Sequence, residues 1–136
     1  MPIAEDTEIE FEPSPEGIRV SADSAAMRQA LLNLMDNSRK YARGGRHLGV
    51  QVRKDAERAL VRIRDRGPGI HPEERERVFE RFVRGERQRT GTVPGLGLYL
   101  ARRILRDHGG EIVSVACGGP GACFVLELPI ANGETR

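Results

Sequence analysis

The sequence has few aromatic residues: no tryptophan, two tyrosines and four phenylalanines, 4% of 136 residues. So few flat rings argue against a platform on which single-stranded bases stack. It also lacks charge of one sign. Its 22 Lys and Arg are interleaved with 20 Asp and Glu for a net charge of +2, which is no footprint for a nucleic-acid backbone. No apolar run approaches the ~20 residues that span a bilayer. Met1-Pro2-Ile3-Ala4-Glu5-Asp6 has neither the basic start nor the apolar stretch of a signal peptide. The only cysteines, Cys117 and Cys123, flank the turn Gly118-Gly119-Pro120-Gly121. A hairpin could bring them face to face, but in a cytosolic chain they read as reduced, half-buried thiols. Without a nearby histidine pair they make a poor zinc site. What remains is a single cytoplasmic domain over 1–136, long enough for a real core and too short for two, with no nucleic-acid or membrane contact of its own.

Apolar periodicity places the elements. Glu8 to Phe11 and Ile18 to Val20 alternate as short strands around a Pro13-Ser14-Pro15-Glu16-Gly17 turn. Asp23 is a good N-cap for a helix to about Ala42, with Met27, Leu31, Leu34, Ser38 and Tyr41 on one face. Leu48 to Arg53 and Ala59 to Arg64 read as a hairpin. Pro72 to Val78 reads as a short charged helix supported by a Glu73–Arg77 pair. Residues 84 to 94 have no period and read as a mobile loop. Leu96 to Asp107 is a helix ended by Gly109-Gly110, and Glu111 to Ala116 and Ala122 to Pro129 form a final hairpin. Order is expected over roughly residues 8–130, with a frayed tail from Ala131. The pattern predicts an α+β chain: a two-layer α/β sandwich with a mixed sheet of about five strands and about three helices on one face.

Three stretches carry chemistry. Asp65-Arg66-Gly67-Pro68-Gly69-Ile70 follows a predicted strand, so an acid is delivered at a strand end into a turn stripped of side-chain bulk. Such a turn lets a flat ligand approach while one carboxylate reads its edge; a surface hairpin is the simpler alternative for the isolated hexapeptide. Asn33 and Asn37 share one side of the first helix, with Lys40 and Tyr41 just beyond. Asparagine is a mediocre helix-interior residue. The pair is either two exposed amides or carboxamide oxygens offered to a hard cation such as Mg²⁺, with Lys40 balancing phosphate charge. Gly95-Leu96-Gly97-Leu98 opens a helix after a loop and is either a hinge or an anion-binding N-terminus. Together they make a nucleotide pocket. Asp65 would accept from an exocyclic amine, which selects adenine over guanine.

With these residues in place the chain resembles the catalytic, ATP-binding domain of bacterial two-component sensor histidine kinases, in the gyrase, heat-shock chaperone and MutL (Bergerat) superfamily. The resemblance covers about Phe11 to Pro129. Leu32 to Tyr41 is similar to the family's N box, Asp65 to Ile70 to its G1 box, Phe79 to Arg84 to its F box and Gly95 to Leu98 to its G2 box; His108-Gly109-Gly110-Glu111-Ile112 is similar to the family sequence after the next helix. The resemblance implies the Bergerat ATP-binding fold, with ATP and Mg²⁺ as cofactors. It implies that Asn37 ligates the metal, that Asn33 supports the phosphate and metal site, and that Lys40 and Tyr41 line the triphosphate and ribose or base region. Asp65 would bond adenine N6, with Gly67, Gly69 and Ile70 forming the base pocket. Gly95, Leu96, Gly97 and Leu98 would meet the phosphates, and Arg84 would begin a lid that reaches the γ-phosphate. Val93-Pro94 depart from the usual Gly-x before the G2 glycines, which puts phosphate contacts at Val93 in doubt.

Hydrolytic members of the superfamily resemble one another in carrying a water-activating Glu four residues before the metal-binding Asn. Here that position is Asn33, and an amide is no general base. The resemblance therefore implies transfer of the γ-phosphoryl group to a histidine on a separate helical dimerisation domain, and through it to a response regulator. His47, His71 and His108 lie in no His-Glu-x-x-x-Pro helix and read as structural or surface residues, so the phosphoacceptor domain is expected outside this chain, in a parent protein that the inner membrane could anchor. Alternatives are a serine kinase of the anti-sigma type, disfavoured by the F-box-like and His-Gly-Gly stretches, and a non-catalytic nucleotide-binding regulatory module. A hydrolytic ATPase is disfavoured by Asn33.

Overall fold

The computed structural model describes residues 8–14, 17–41, 47–66, 69–80, 96–118 and 121–131, and only the backbone of residues 8–9, 36–41 and 96. Among the described residues five strands form one sheet: β1 (Glu8–Glu12), β2 (His47–Asp55), β3 (Arg58–Arg64), β4 (Glu111–Val115) and β5 (Cys123–Pro129). Their spatial order is β1-β2-β3-β5-β4. β1 runs parallel to β2 and every other neighbour pair is antiparallel, so the sheet is mixed as the sequence predicts. The stretch 18–20 is not a strand; Val20 makes a single bridge to Ile130.

Among the described residues the second layer holds two α-helices, α1 (Ser24–Tyr41) and α2 (Leu96–Asp107). Asp23 caps α1: its Oδ1 accepts from the N–H groups of Ala25 and Ala26 at 3.0 and 3.3 Å, satisfying two donors that the first turn leaves open. His108, at the end of α2, donates from Nδ1 to the Ile104 carbonyl at 2.7 Å and accepts the Asp23 N–H at Nε2, 3.2 Å away. One imidazole thus closes α2 and ties it to the start of α1. The sequence places His108 correctly at a helix end but misses this second partner.

The predicted helix at 72–78 is instead two 3₁₀ turns, Pro72–Glu74 and Arg77–Phe79, and among the described residues Glu73 and Arg77 form no ion pair. Tertiary packing overrides the local pattern there. Phe79 is buried edge-on against Phe124, 6.0 Å between centroids, and Glu76 turns to Arg102 of α2. Arg102 is only 8% exposed but fully engaged: Nη1 and Nη2 reach Glu76 at 2.8 and 2.9 Å, Nε reaches Glu111 at 2.7 Å, and the guanidinium lies 4.2 Å from the Phe79 ring centre. The hydrogen bonds from Arg102 hold the Glu76 carboxyl below its ordinary range. Burial pushes Glu111 up, but hydrogen bonds from Arg106 and Arg102 outweigh it and the net shift is downward.

Between the layers lies one apolar core. Leu34 of α1, Leu105 of α2, Ile63 of β3, Ile112 of β4 and Phe124 of β5 are all fully buried in it. Of the predicted stripe on α1, Leu34 is buried and Met27 and Leu31 pack partly against the core; Ala30, absent from that stripe, is buried too.

Candidate functional site

The strand-end acid is where the site begins. β3 and β5 pair with Arg64 opposite Cys123, and the register continues one step to Asp65 and Ala122. The Asp65 N–H donates to the Ala122 carbonyl at 3.0 Å, as in an ordinary ladder. The return bond differs, because the Ala122 N–H donates to the side-chain Oδ1 of Asp65 at 2.9 Å. A carboxylate has taken the place of a backbone carbonyl. Asp65 is 4% exposed, and such burial is tolerable for an acid whose oxygen is hydrogen-bonded. Its side chain is thereby fixed in one orientation.

Two glycines let the backbones close over this point. Gly121 has φ 107°, and a Cβ there would run into the Asp65 carbonyl oxygen. Gly69 has φ 91°, and a Cβ there would come within 3.1 Å of the Gly121 carbonyl oxygen. The turn at 69 therefore packs on the β4–β5 loop through glycine alone. Sequence reasoning found Gly69 and Asp65 but not Gly121 and Ala122. The available signal was the Gly-Gly-Pro-Gly turn, which reads as ordinary hairpin punctuation until β5 is placed beside β3.

The second half of the site joins the helices. Asn33 Nδ2 donates to the Gly97 carbonyl at 3.3 Å and Oδ1 accepts from Gln29 Nε2 at 2.8 Å. A residue of the asparagine helix thus holds the first turn of the glycine-led helix. Leu98 is 5% exposed and belongs to the core, so its side chain serves packing and only its backbone is placed in that first turn. Ile70 packs partly against the same core. The backbone of α1 puts residues 33 and 37 one turn apart on the same side. The side chains of Asn37, Lys40, Tyr41 and Leu96 lie outside the described residues, as do Gly67, Arg84, Gly95 and the Val93-Pro94 departure. Among the described residues no group of three or more His, Cys, Asp or Glu is arranged to hold a metal.

Cys117 and Cys123 are both free thiols. Burial, then a hydrogen bond with Cys123, pushes the Cys117 thiol up to about 12. The thiol is therefore held in its neutral form near pH 7.

Comparison with known proteins gives one family and consistent neighbours. Residues 22–132 match the family model described as histidine kinase-, DNA gyrase B-, and HSP90-like ATPase. Adaptive-response sensory kinase SasA of Parasynechococcus marenigrum is 41% identical over 118 residues, 85% of this chain and 31% of that protein. The solved mycobacterial sensor histidine kinase MprB is 36% identical with a TM-score of 0.73, covering 90% of this chain and 82% of that one. Full-length ShkA in complex with AMPPNP is 31% identical with a TM-score of 0.78, covering 93% of this chain and 26% of that one. The chain spans between 24% and 31% of the length of the first curated relatives it matches.

Proposed function

The chain belongs to the histidine kinase-, DNA gyrase B- and HSP90-like ATPase family, and from that premise we propose that it is the catalytic domain of a sensor histidine kinase. It binds Mg-ATP and donates the γ-phosphoryl group to a histidine on a separate helical dimerisation domain, from which a response regulator receives it. The observation that carries this reading is Asn33. It stands where the superfamily's hydrolytic members place a general base, and both ends of its amide are already committed, to Gly97 and to Gln29. An amide cannot take a proton from water, so the phosphoryl group is kept for a better-placed acceptor.

In this reading Asp65 accepts from adenine N6 while Ala122 fixes its other contact, and Gly69 and Ile70 border the base. The first turn of α2 meets the phosphates with its N–H groups. Lys40 and Arg84 offset phosphate charge, and Tyr41 lies toward the ribose or base. Magnesium fits the donor chemistry: no protein carboxylate cage is needed when one amide oxygen, from Asn37, is completed by phosphates and waters. When bound, the ion neutralises charge developing on the phosphates. The chain's own part is positioning, which the Asn33–Gly97 bond serves by fixing one helix against the other. No helix among the described residues is long and apolar enough to cross a membrane, and the proposal places the domain in the cytoplasm with any membrane anchor elsewhere in the parent protein.

The test is incubation of the chain with γ-labelled ATP and a histidine-bearing dimerisation domain. Label stable to alkali and labile to acid should appear on the supplied domain, with little phosphate released by the chain alone. Fast release of inorganic phosphate with no label on the histidine would refute the reading.

A further inference from the structure

A cavity of about 340 Å³ lies beside the edge strand β4, bordered by the Gly69–Ile70 turn, the first 3₁₀ turn and the β4–β5 loop. Neither Asn33, Asp65 nor Gly97 lines it, but it adjoins the candidate nucleotide site and shares with it the Gly69–Ile70 turn, Gly121 and Ala122. Its volume falls in the range of small-molecule pockets. Ile70, Pro72 and Val115 supply apolar wall; His71, Arg75 and Ser114 supply polar groups.

Two of those polar groups are unsatisfied. Arg75 Nε and Ser114 Oγ are buried with no hydrogen-bond partner, and they are the only such side-chain atoms among the described residues. They come from different places in the fold, the residue that caps the first 3₁₀ turn and strand β4, yet their side chains belong to residues that line the same cavity. Buried polar groups are almost always paired, so two orphans at one cavity call for an explanation. The contrast with Arg102 sharpens it. Glu76, the residue after Arg75, gives both its carboxylate oxygens to Arg102 and leaves Arg75 without an ion pair among the described residues. Among the described residues no carboxylate lines the cavity to offset the charge, and the Cys117 thiol in its wall stays neutral.

We propose that this cavity is a second binding site, for a compact carboxylic acid with an apolar body, whose carboxylate pairs with Arg75 and accepts from Ser114 while the body packs on Ile70, Pro72 and Val115. A carboxylate accepts from a guanidinium in a charge-assisted pair and has lone pairs left for a hydroxyl. Small turns of the Arg75 and Ser114 side chains bring the two buried atoms to the ligand; among the described residues neither atom has a hydrogen bond to lose in doing so.

Benzoate, isovalerate and cyclohexanecarboxylate are the probes, titrated into the ¹⁵N-labelled 136-residue chain and followed by NMR. At least one should shift the amides of Ser114, Cys117 and Gly118 and the Arg75 Nε–H saturably. The corresponding alcohol should bind roughly tenfold or more weakly, the fold-change of one lost charge-assisted bond. Arg75→Gln should weaken the acid by a similar factor, and Ser114→Ala, which removes only the hydroxyl, should weaken it less. The site is refuted if none of the three acids shifts those resonances saturably up to about 10 mM, at the weak end of specific binding. It is refuted equally if alcohol and acid bind alike, or if a folded Arg75→Gln chain binds the acid as well as the parent does.

Discussion

Replacing Asp65 by asparagine separates the ladder bond its carboxylate makes from the base-reading role proposed for it. One oxygen accepts the Ala122 N–H at 2.9 Å, and an asparagine carbonyl can accept the same bond. The fold should therefore lose only the difference between a charged and a neutral acceptor, at most about 1.5 kcal/mol. The other oxygen becomes an NH₂ group. Toward adenine N6 an acceptor has become a donor, and two donors then face each other. Loss of one charge-assisted hydrogen bond of roughly 1.5–3 kcal/mol corresponds to a roughly 10- to 150-fold rise in the Kd for ATP. Because the site is 4% exposed, little water reaches it to soften the loss. Calorimetric titration with Mg-ATP measures the affinity and urea unfolding measures the fold. A folded Asp65→Asn chain that binds ATP as tightly as the parent refutes the base-reading role. A chain that no longer folds refutes the claim that asparagine can keep the ladder bond.

Asn37→Ala should abolish the Mg²⁺ dependence of nucleotide affinity, checked by titrating ATP with and without the ion; undiminished dependence would remove Asn37 from the metal site. Gly121→Ala should destabilise the chain by about 1–3 kcal/mol in urea unfolding, since it combines φ 107° with a Cβ driven into the Asp65 carbonyl; a wild-type midpoint would contradict that packing. Glu76 and Glu111 have carboxyls lowered from 4.5, so the stability they contribute is present above that pH and is lost as pH falls through their lowered values. The midpoint of thermal unfolding should therefore drop below about pH 4.5, and the Glu76→Gln, Glu111→Gln double variant should flatten that slope.

Much of this molecule is legible in the sequence because its elements obey local rules. The Asp23 cap, the apolar stripes of both helices and the alternation of 58–64 each specify an element without help from distant residues. The failures lie where distant residues decide. Residues 72–79 carry helical spacing and helix-compatible charges, but Phe79 must reach Phe124 and Glu76 must reach Arg102, and a continuous helix gives way to two short turns. The stretch at Ile18–Val20 alternates like a strand but finds only Ile130 to pair with. Within the site, Asp65, Asn33, Gly69 and Gly97 announce themselves by residue type. Ala122 does not, because it contributes a backbone N–H and any residue except proline could supply that.

The bond between Ala122 and Asp65 spans 57 residues of sequence. Contacts of that separation close late in folding, after local hairpins and helices have formed. On a ribosome the acid of β3 is made well before the strand that orients it, and nothing earlier in the chain replaces that strand. On the proposed reading of Asp65, the ability to tell adenine from guanine should therefore arrive in a single step, when β5 docks beside β3. A nascent chain that stops short of Cys123 will have the helix cap, the first hairpin and the asparagine pair, yet no nucleotide selectivity.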